Sequence, residues 1–156
     1  MASAIGVMLL ALIALIAMFN GILGSLFSLI GIDGVTLQAI FGYMFAPIAF
    51  LLGVPSSEVL IAGNFLGQKL VLNEFVAFMS FSEVRETLSH ETQAIITMAL
   101  AGFANLSAPA AMIGVLGTIV PKMKPFIASM GFRVILAATL ANLMSAAITG
   151  LFISFV

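Results

Sequence analysis

Cysteine is missing from the 156 residues, which excludes disulfide frameworks and thiolate metal sites and leaves the redox compartment illegible. Charge is scarce: 7% of residues are charged, six acids against five bases. A soluble globule carries about 25%, because its surface has to face water. Nor does the little charge form a long block of one sign. The net value is −1, with no basic or acidic block, so nucleic acid finds no electrostatic footprint. There is no Ser–His, paired-Asp or His-metal constellation at a useful spacing, and the chain does not read as an enzyme. Heptads, low-complexity tracts, linkers and domain boundaries are absent too. What the sequence has instead is apolar surface: 63% hydrophobic residues and a mean hydropathy of +1.31. Its solvent is lipid, and the fold class expected is an all-α polytopic membrane protein.

The rare charges divide the chain. Met1 to Ile32 is uncharged, Asp33 follows, and Glu58 ends the next gap. Lys69 and Glu74 sit inside an apolar stretch. A polar knot follows at Glu83, Arg85, Glu86, His90 and Glu91, and a second at Lys122 and Lys124 before Arg133. A helix needs about 20 apolar residues to cross the hydrocarbon core. Ile5–Leu26, Thr97–Val120 and Val134–Val156 meet that length. Met1–Leu26 holds no Lys or Arg, so it lacks the n-region of a secretory signal and reads as a membrane helix over 1–30.

Three segments depart from simple spans. Over 36–52, Leu37, Ile40, Phe41, Met44, Phe45 and Ile48 form one helical stripe that leaves Gln38, Gly42 and Tyr43 off it. Pro47 interrupts this stripe, and Gly53 with Pro55 ends it. An interfacial helix is expected there, a Pro-kinked span being the alternative. Over 57–82, the apolar arms Val59–Leu66 and Phe75–Phe81 are each too short to cross alone. Lys69, Asn73 and Glu74 lie between them, and charges at that depth cost on the order of 2.5–3.5 kcal/mol unless partnered. A re-entrant hairpin with Asn73–Glu74 near its tip accommodates them, and so does a structural Lys69–Glu74 pair inside a bundle. Over 94–121, Gly102, Asn105, Ser107 and Pro109 gather at mid-span, where proline breaks or kinks a helix. A last membrane helix is expected over 133–156. Two discontinuous elements, each holding an Asn, are a sequence pointer to a transport site.

These residues carry a resemblance. Gly67-Gln68-Lys69-Leu70-Val71-Leu72-Asn73-Glu74-Phe75-Val76-Ala77-Phe78 is similar to the G-x-K-x-x-x-N-E-F-V-A signature of the concentrative nucleoside transporters. Thr36-Leu37-Gln38, Gly42-Tyr43, Phe45-Ala46-Pro47 and Gly53-Val54-Pro55 resemble the family's interfacial segment. Gly102-Phe103-Ala104-Asn105-Leu106-Ser107 resembles its G-F-A-N-(F/L)-S stretch, and Thr139-Leu140-Ala141-Asn142-Leu143-Met144-Ser145 its last helix. The resemblance covers essentially the whole chain and the C-terminal part of the family's longer members.

The resemblance implies a cation-coupled nucleoside importer of the cytoplasmic membrane, homotrimeric, working as an elevator. Glu74 and Asn105 would hydrogen-bond the ribose hydroxyls and Phe103 would lie beside the nucleobase, core packing being its plainer role. Asn73 and Ser107 complete the expected substrate-binding set. The family's second ribose-contacting Ser corresponds here to Ala108. Its other hairpin, which reads the base and holds the coupling cation, has no counterpart in these residues, so Na+ or H+ is left open. No other cofactor is implied. A membrane protein keeping this fold without transport is the alternative. His90 reads as solvated. Lys122, Lys124 and Arg133 place the Pro121–Arg133 connection in the cytoplasm and Val156 outside.

Overall fold

The computed structural model describes residues 2–106 and 108–155. Among these run α1 (Ala2–Ser28), α2 (Leu37–Leu51), α3 (Val59–Val71), α4 (Glu74–Val84), α5 (His90–Leu100), α6 (Ala108–Ile119) and α7 (Lys124–Ile153). Short 3₁₀ turns at Arg85–Thr87 and Pro121–Met123 join α4 to α5 and α6 to α7, and no strand occurs among the described residues. The described residues are all-helical, one of the two arrangements that satisfy backbone polar groups which cannot turn to lipid.

Local chemistry sets the boundaries. α1 stops where Gly31 takes a left-handed φ of 78°, with Ile32 N–H returning to the Phe27 carbonyl at 3.0 Å. Thr36 caps α2 by accepting from Ala39 N–H at 3.1 Å. A second cap comes from α1: Asn20 Oδ1 accepts from Leu37 N–H at 2.8 Å while its Nδ2 donates to Gln38 Oε1 at 2.9 Å. One asparagine in an otherwise apolar helix thus ties α1 to the start of α2. α2 has 15 residues and Pro47 inside it. At about 1.5 Å per residue it reaches ~22 Å, short of the ~30 Å core.

Small residues govern how α2 meets α3. A Cβ on Gly42 would lie 2.8 Å from the Leu60 carbonyl oxygen, and one on Gly63 would lie 2.6 Å from the Gly42 oxygen. The stripe read from the sequence left Gly42 out, yet Gly42 is buried and Met44, inside the stripe, is exposed. Backbone contact, which needs no side chain, rotates the buried face toward the glycines. α3 and α4 then fold back on each other. Phe65 and Phe81 meet edge to face with centroids 5.5 Å apart, and Ser80 Oγ donates to Gln68 Oε1 at 2.9 Å. These helices have 13 and 11 residues, roughly 20 and 16 Å, so neither arm alone matches a bilayer.

α5 and α7 complete the core, in which Phe65, Leu66, Ile95, Ile96, Leu100 and Ala146 are buried together. α7 begins at Lys124, not at Arg133 where a start was expected, and has 30 residues. Pro125 lies in its first turn, where a missing N–H costs nothing, and Arg133 is simply an exposed residue inside the helix. Phe132, Leu140 and Phe152 stand exposed on it, an arrangement suited to lipid rather than water.

Candidate functional site

The site forms where two helices are interrupted. α3 ends at Val71; Leu72 closes it with its N–H on the Gln68 carbonyl at 2.9 Å, and Asn73 is fully extended. Asn73 Oδ1 then accepts from Val76 N–H at 2.9 Å, which makes Asn73 the N-cap of α4 and Glu74 its first residue. A carboxylate there faces the positive end of the helix dipole. The second interruption runs from Ala101 to Leu106, between α5 and α6. Asn105 anchors it: its Oδ1 accepts from Ala108 N–H at 2.9 Å, and the residue is 4% exposed.

The two interruptions touch. Asn105 Nδ2 donates to Glu74 Oε2 at 2.7 Å, a charge-assisted bond across the gap. Beside it Leu106 N–H donates to the Leu70 carbonyl at 2.9 Å, and Lys69 Nζ donates to the Ala99 carbonyl near the end of α5. The sequence offered a Lys69–Glu74 pair; Lys69 takes a carbonyl instead and meets Glu74 through Coulomb attraction. Phe103 is 78% exposed. With Asn105, Pro109, Phe126, Met130 and Val134 it lines a cavity of about 260 Å³ between the second interruption and α7. Glu74 is not among that lining. Ser107 lies outside the described residues.

Asn142, quoted above only for its resemblance, belongs to this region. The Asn142 amide packs against the Cα of Gly102, where an added Cβ would make it shift. Nothing in local spacing reveals that contact, because 40 positions separate the pair. Away from the site, Glu58 in the turn before α3 accepts from Ser89 N–H at 2.9 Å and from Ser89 Oγ at 2.8 Å. Burial pushes its carboxyl up, but the hydroxyls of Thr92 and Ser89 and the Ser89 N–H together hold it below the ordinary value. His90 is exposed at the start of α5, away from Glu74 and Asn105.

Comparison with known proteins gives the same picture at the level of sequence and backbone. The profile described as Na+ dependent nucleoside transporter C-terminus matches residues 1–150. The transporter YutK of Bacillus subtilis is 55% identical over 152 residues, covering 97% of this chain and 38% of its own. Nucleoside permease NupC of Helicobacter pylori is 44% identical over 158 residues, covering 98% of this chain and 38% of its own. A structure of CNTnw in an inward-facing substrate-bound state superposes with a TM-score of 0.95 at 46% identity, over 99% of this chain and 38% of that one. The chain therefore spans 38% of the length of these relatives. With nearly all of its residues inside the family profile, the chain belongs to the Na+-dependent nucleoside transporter family, a family of membrane transporters and not of enzymes, and corresponds to its C-terminal part.

Proposed function

We propose that this chain supplies the ribose-contacting half of the site in a cation-coupled nucleoside importer. The observation that carries the reading is the 2.7 Å bond between Asn105 and Glu74, which joins two helix interruptions. Without ligand the amide donates to the carboxylate. A ribose with neighbouring hydroxyls enters between them by exchange: a hydroxyl donates to Glu74, and an oxygen accepts from Asn105. Each polar group keeps a partner, which limits the desolvation cost. Charge-assisted bonds are about twice as strong as neutral ones, which favours a carboxylate over an amide at position 74.

Phe103 is the residue for the base: exposed, aromatic and two positions from Asn105, it offers a face on which either purine or pyrimidine stacks. Asn73 acts through its cap, fixing where α4 begins and hence where Glu74 points. Ser107 completes the substrate-binding set that the family motif implies, and the Ala108 N–H holds the Asn105 side chain in place through its Oδ1. The coupling cation, Na+ or H+, is expected on residues beyond the matched C-terminal segment, and a homotrimer in the cytoplasmic membrane is the expected assembly. Lys122 and Lys124, at the turn where α7 begins, favour a cytoplasmic placement of the α6–α7 connection, which puts the C-terminal end of the chain outside.

This chain is expected to be incomplete on its own, so thermal unfolding of the longer transporter that carries it, purified in detergent, tests this. Saturating uridine raises the melting temperature of the parent, as a ligand at one hundred times its Kd adds about 2.7 kcal/mol to stability. The Glu74→Gln variant shows no such rise. Equal stabilisation of both removes Glu74 from the site, and no stabilisation of either leaves a membrane protein that keeps the fold without transport.

A further inference from the structure

Lys69 has no part in the chemistry above, yet it is 5% exposed and is the only charged side chain in the buried set among the described residues. A buried ammonium is costly unless compensated. Two things compensate it. Its Nζ donates to the Ala99 carbonyl, one of the last four of α5, which lack an intrahelical partner and carry the negative end of the dipole. The second is the attraction of Glu74. The other elements around it bring no charge: Phe45 and Ile48 from α2, Thr139 and Leu143 from α7.

The placement is two-sided. Lys69 reaches Ala99, before the second interruption, and the carbonyl of the next residue, Leu70, takes the N–H of Leu106 within it at 2.9 Å. Two adjacent residues near the end of α3 thus grip the region from both ends. Glu74, on the far side of the hairpin tip, meets Asn105 between those grips.

We propose that Lys69 is a positioning residue, a cation built into the chain that fastens the end of α3 to the broken end of α5 and balances the Glu74 carboxylate from behind. Glu74 is thereby held in register with Asn105. Its effect on substrate rests on the transport reading above; its coupling to Glu74 does not, and the two are measured separately.

The experiment is a double-mutant cycle on the whole protein in detergent, without ligand, using Lys69→Met, Glu74→Gln and the double variant. Lys69→Met lowers the melting temperature by ~5 °C or more beside Glu74, and by less than half as much beside the Glu74→Gln substitution. A role in packing or carbonyl capping alone makes the two substitutions additive, and additivity overturns the proposal. Should Lys69→Met fail to accumulate in the membrane, recovery of folded protein on adding Glu74→Gln is the same coupling read as yield; no recovery overturns it. With uridine present, Lys69→Met weakens binding about tenfold beside Glu74, a difference of about 1.4 kcal/mol, and adds little beside Glu74→Gln. A parent that binds no uridine overturns the transport reading only, because the unfolding cycle is read without ligand.

Discussion

Between α3 and α4 the chain leaves helical geometry for two residues, Leu72 and Asn73; between α5 and α6 it does so from Ala101 through Leu106. Each interruption holds an asparagine whose Oδ1 takes the N–H three residues on, Val76 in one case and Ala108 in the other, each at 2.9 Å. Locally the two asparagines are equivalent. They differ in what the amide nitrogen does: that of Asn105 reaches across to Glu74. The short interruption is a single capped turn fixed by its own neighbours. The long one is held from outside, through Lys69 on Ala99 and Leu106 on Leu70. The two elements are therefore joined by three bonds, Lys69 to Ala99, Leu106 to Leu70 and Asn105 to Glu74.

The sharpest way to break this contrast is at Asn105. Asn105→Ala removes the partner of Glu74 and the acceptor for Ala108 N–H together. Leaving a buried group unpaired costs about 1–3 kcal/mol. Nucleoside affinity is expected to fall by well over tenfold, measured by uridine isotherms, with a lowered melting temperature. Retained affinity would remove Asn105 from the ribose. A smaller effect is expected at Asn73. Asn73→Ala loses a cap worth roughly 0.5–2 kcal/mol, and Asn73→Ser, which still caps, restores most of it. Affinity should follow stability along that pair, since Asn73 acts by placing Glu74. If Asn73→Ser keeps the stability but loses the nucleoside, Asn73 contacts substrate itself and the two asparagines are not different after all.

Much of this was visible beforehand, for physical reasons that can be named. Pro109, Gly102 and Asn105 within one apolar span announce a break, because proline lacks an N–H and glycine weakens a helix. Short arms such as Val59–Leu66 around Lys69, Asn73 and Glu74 suggested a hairpin, with a pair inside a bundle equally open, and α3 and α4 do fold back on each other. What stayed hidden is the choice of partners. Lys69 beside Glu74 in sequence suggested an ion pair, yet the unpaired carbonyl of Ala99, 30 positions away, takes the ammonium. No side-chain pattern encodes a free carbonyl at a helix end. Gly42 was passed over because an apolar stripe is read from side chains, while its contact is between backbones. Arg133 was read as a boundary because charge usually marks the end of a span; inside α7 its long side chain can stay exposed while the helix continues. Asn20 gave no signal either, since one polar residue in a long apolar run does not reveal that it caps another helix.

The base of the hairpin extends the same comparison, since Glu58 joins the start of α3 to the start of α5 and so links the two elements a second time. Its carboxylate accepts two bonds from Ser89, which itself caps α5 through Thr92 N–H. A carboxyl held below its ordinary value in the fold contributes stability above its unfolded pKa, about 4.3, and loses it as pH falls through the folded value. The parent is therefore expected to lose melting temperature between neutral pH and about pH 3–4, and part of that loss belongs to this link. Glu58→Gln keeps one acceptor oxygen and no charge. It should begin less stable at pH 7, by about 0.5–1.5 kcal/mol, and fall less steeply as acid is added. Two parallel curves would mean that the acid sensitivity lies in other carboxyls and that Ser89 holds α5 in place without Glu58.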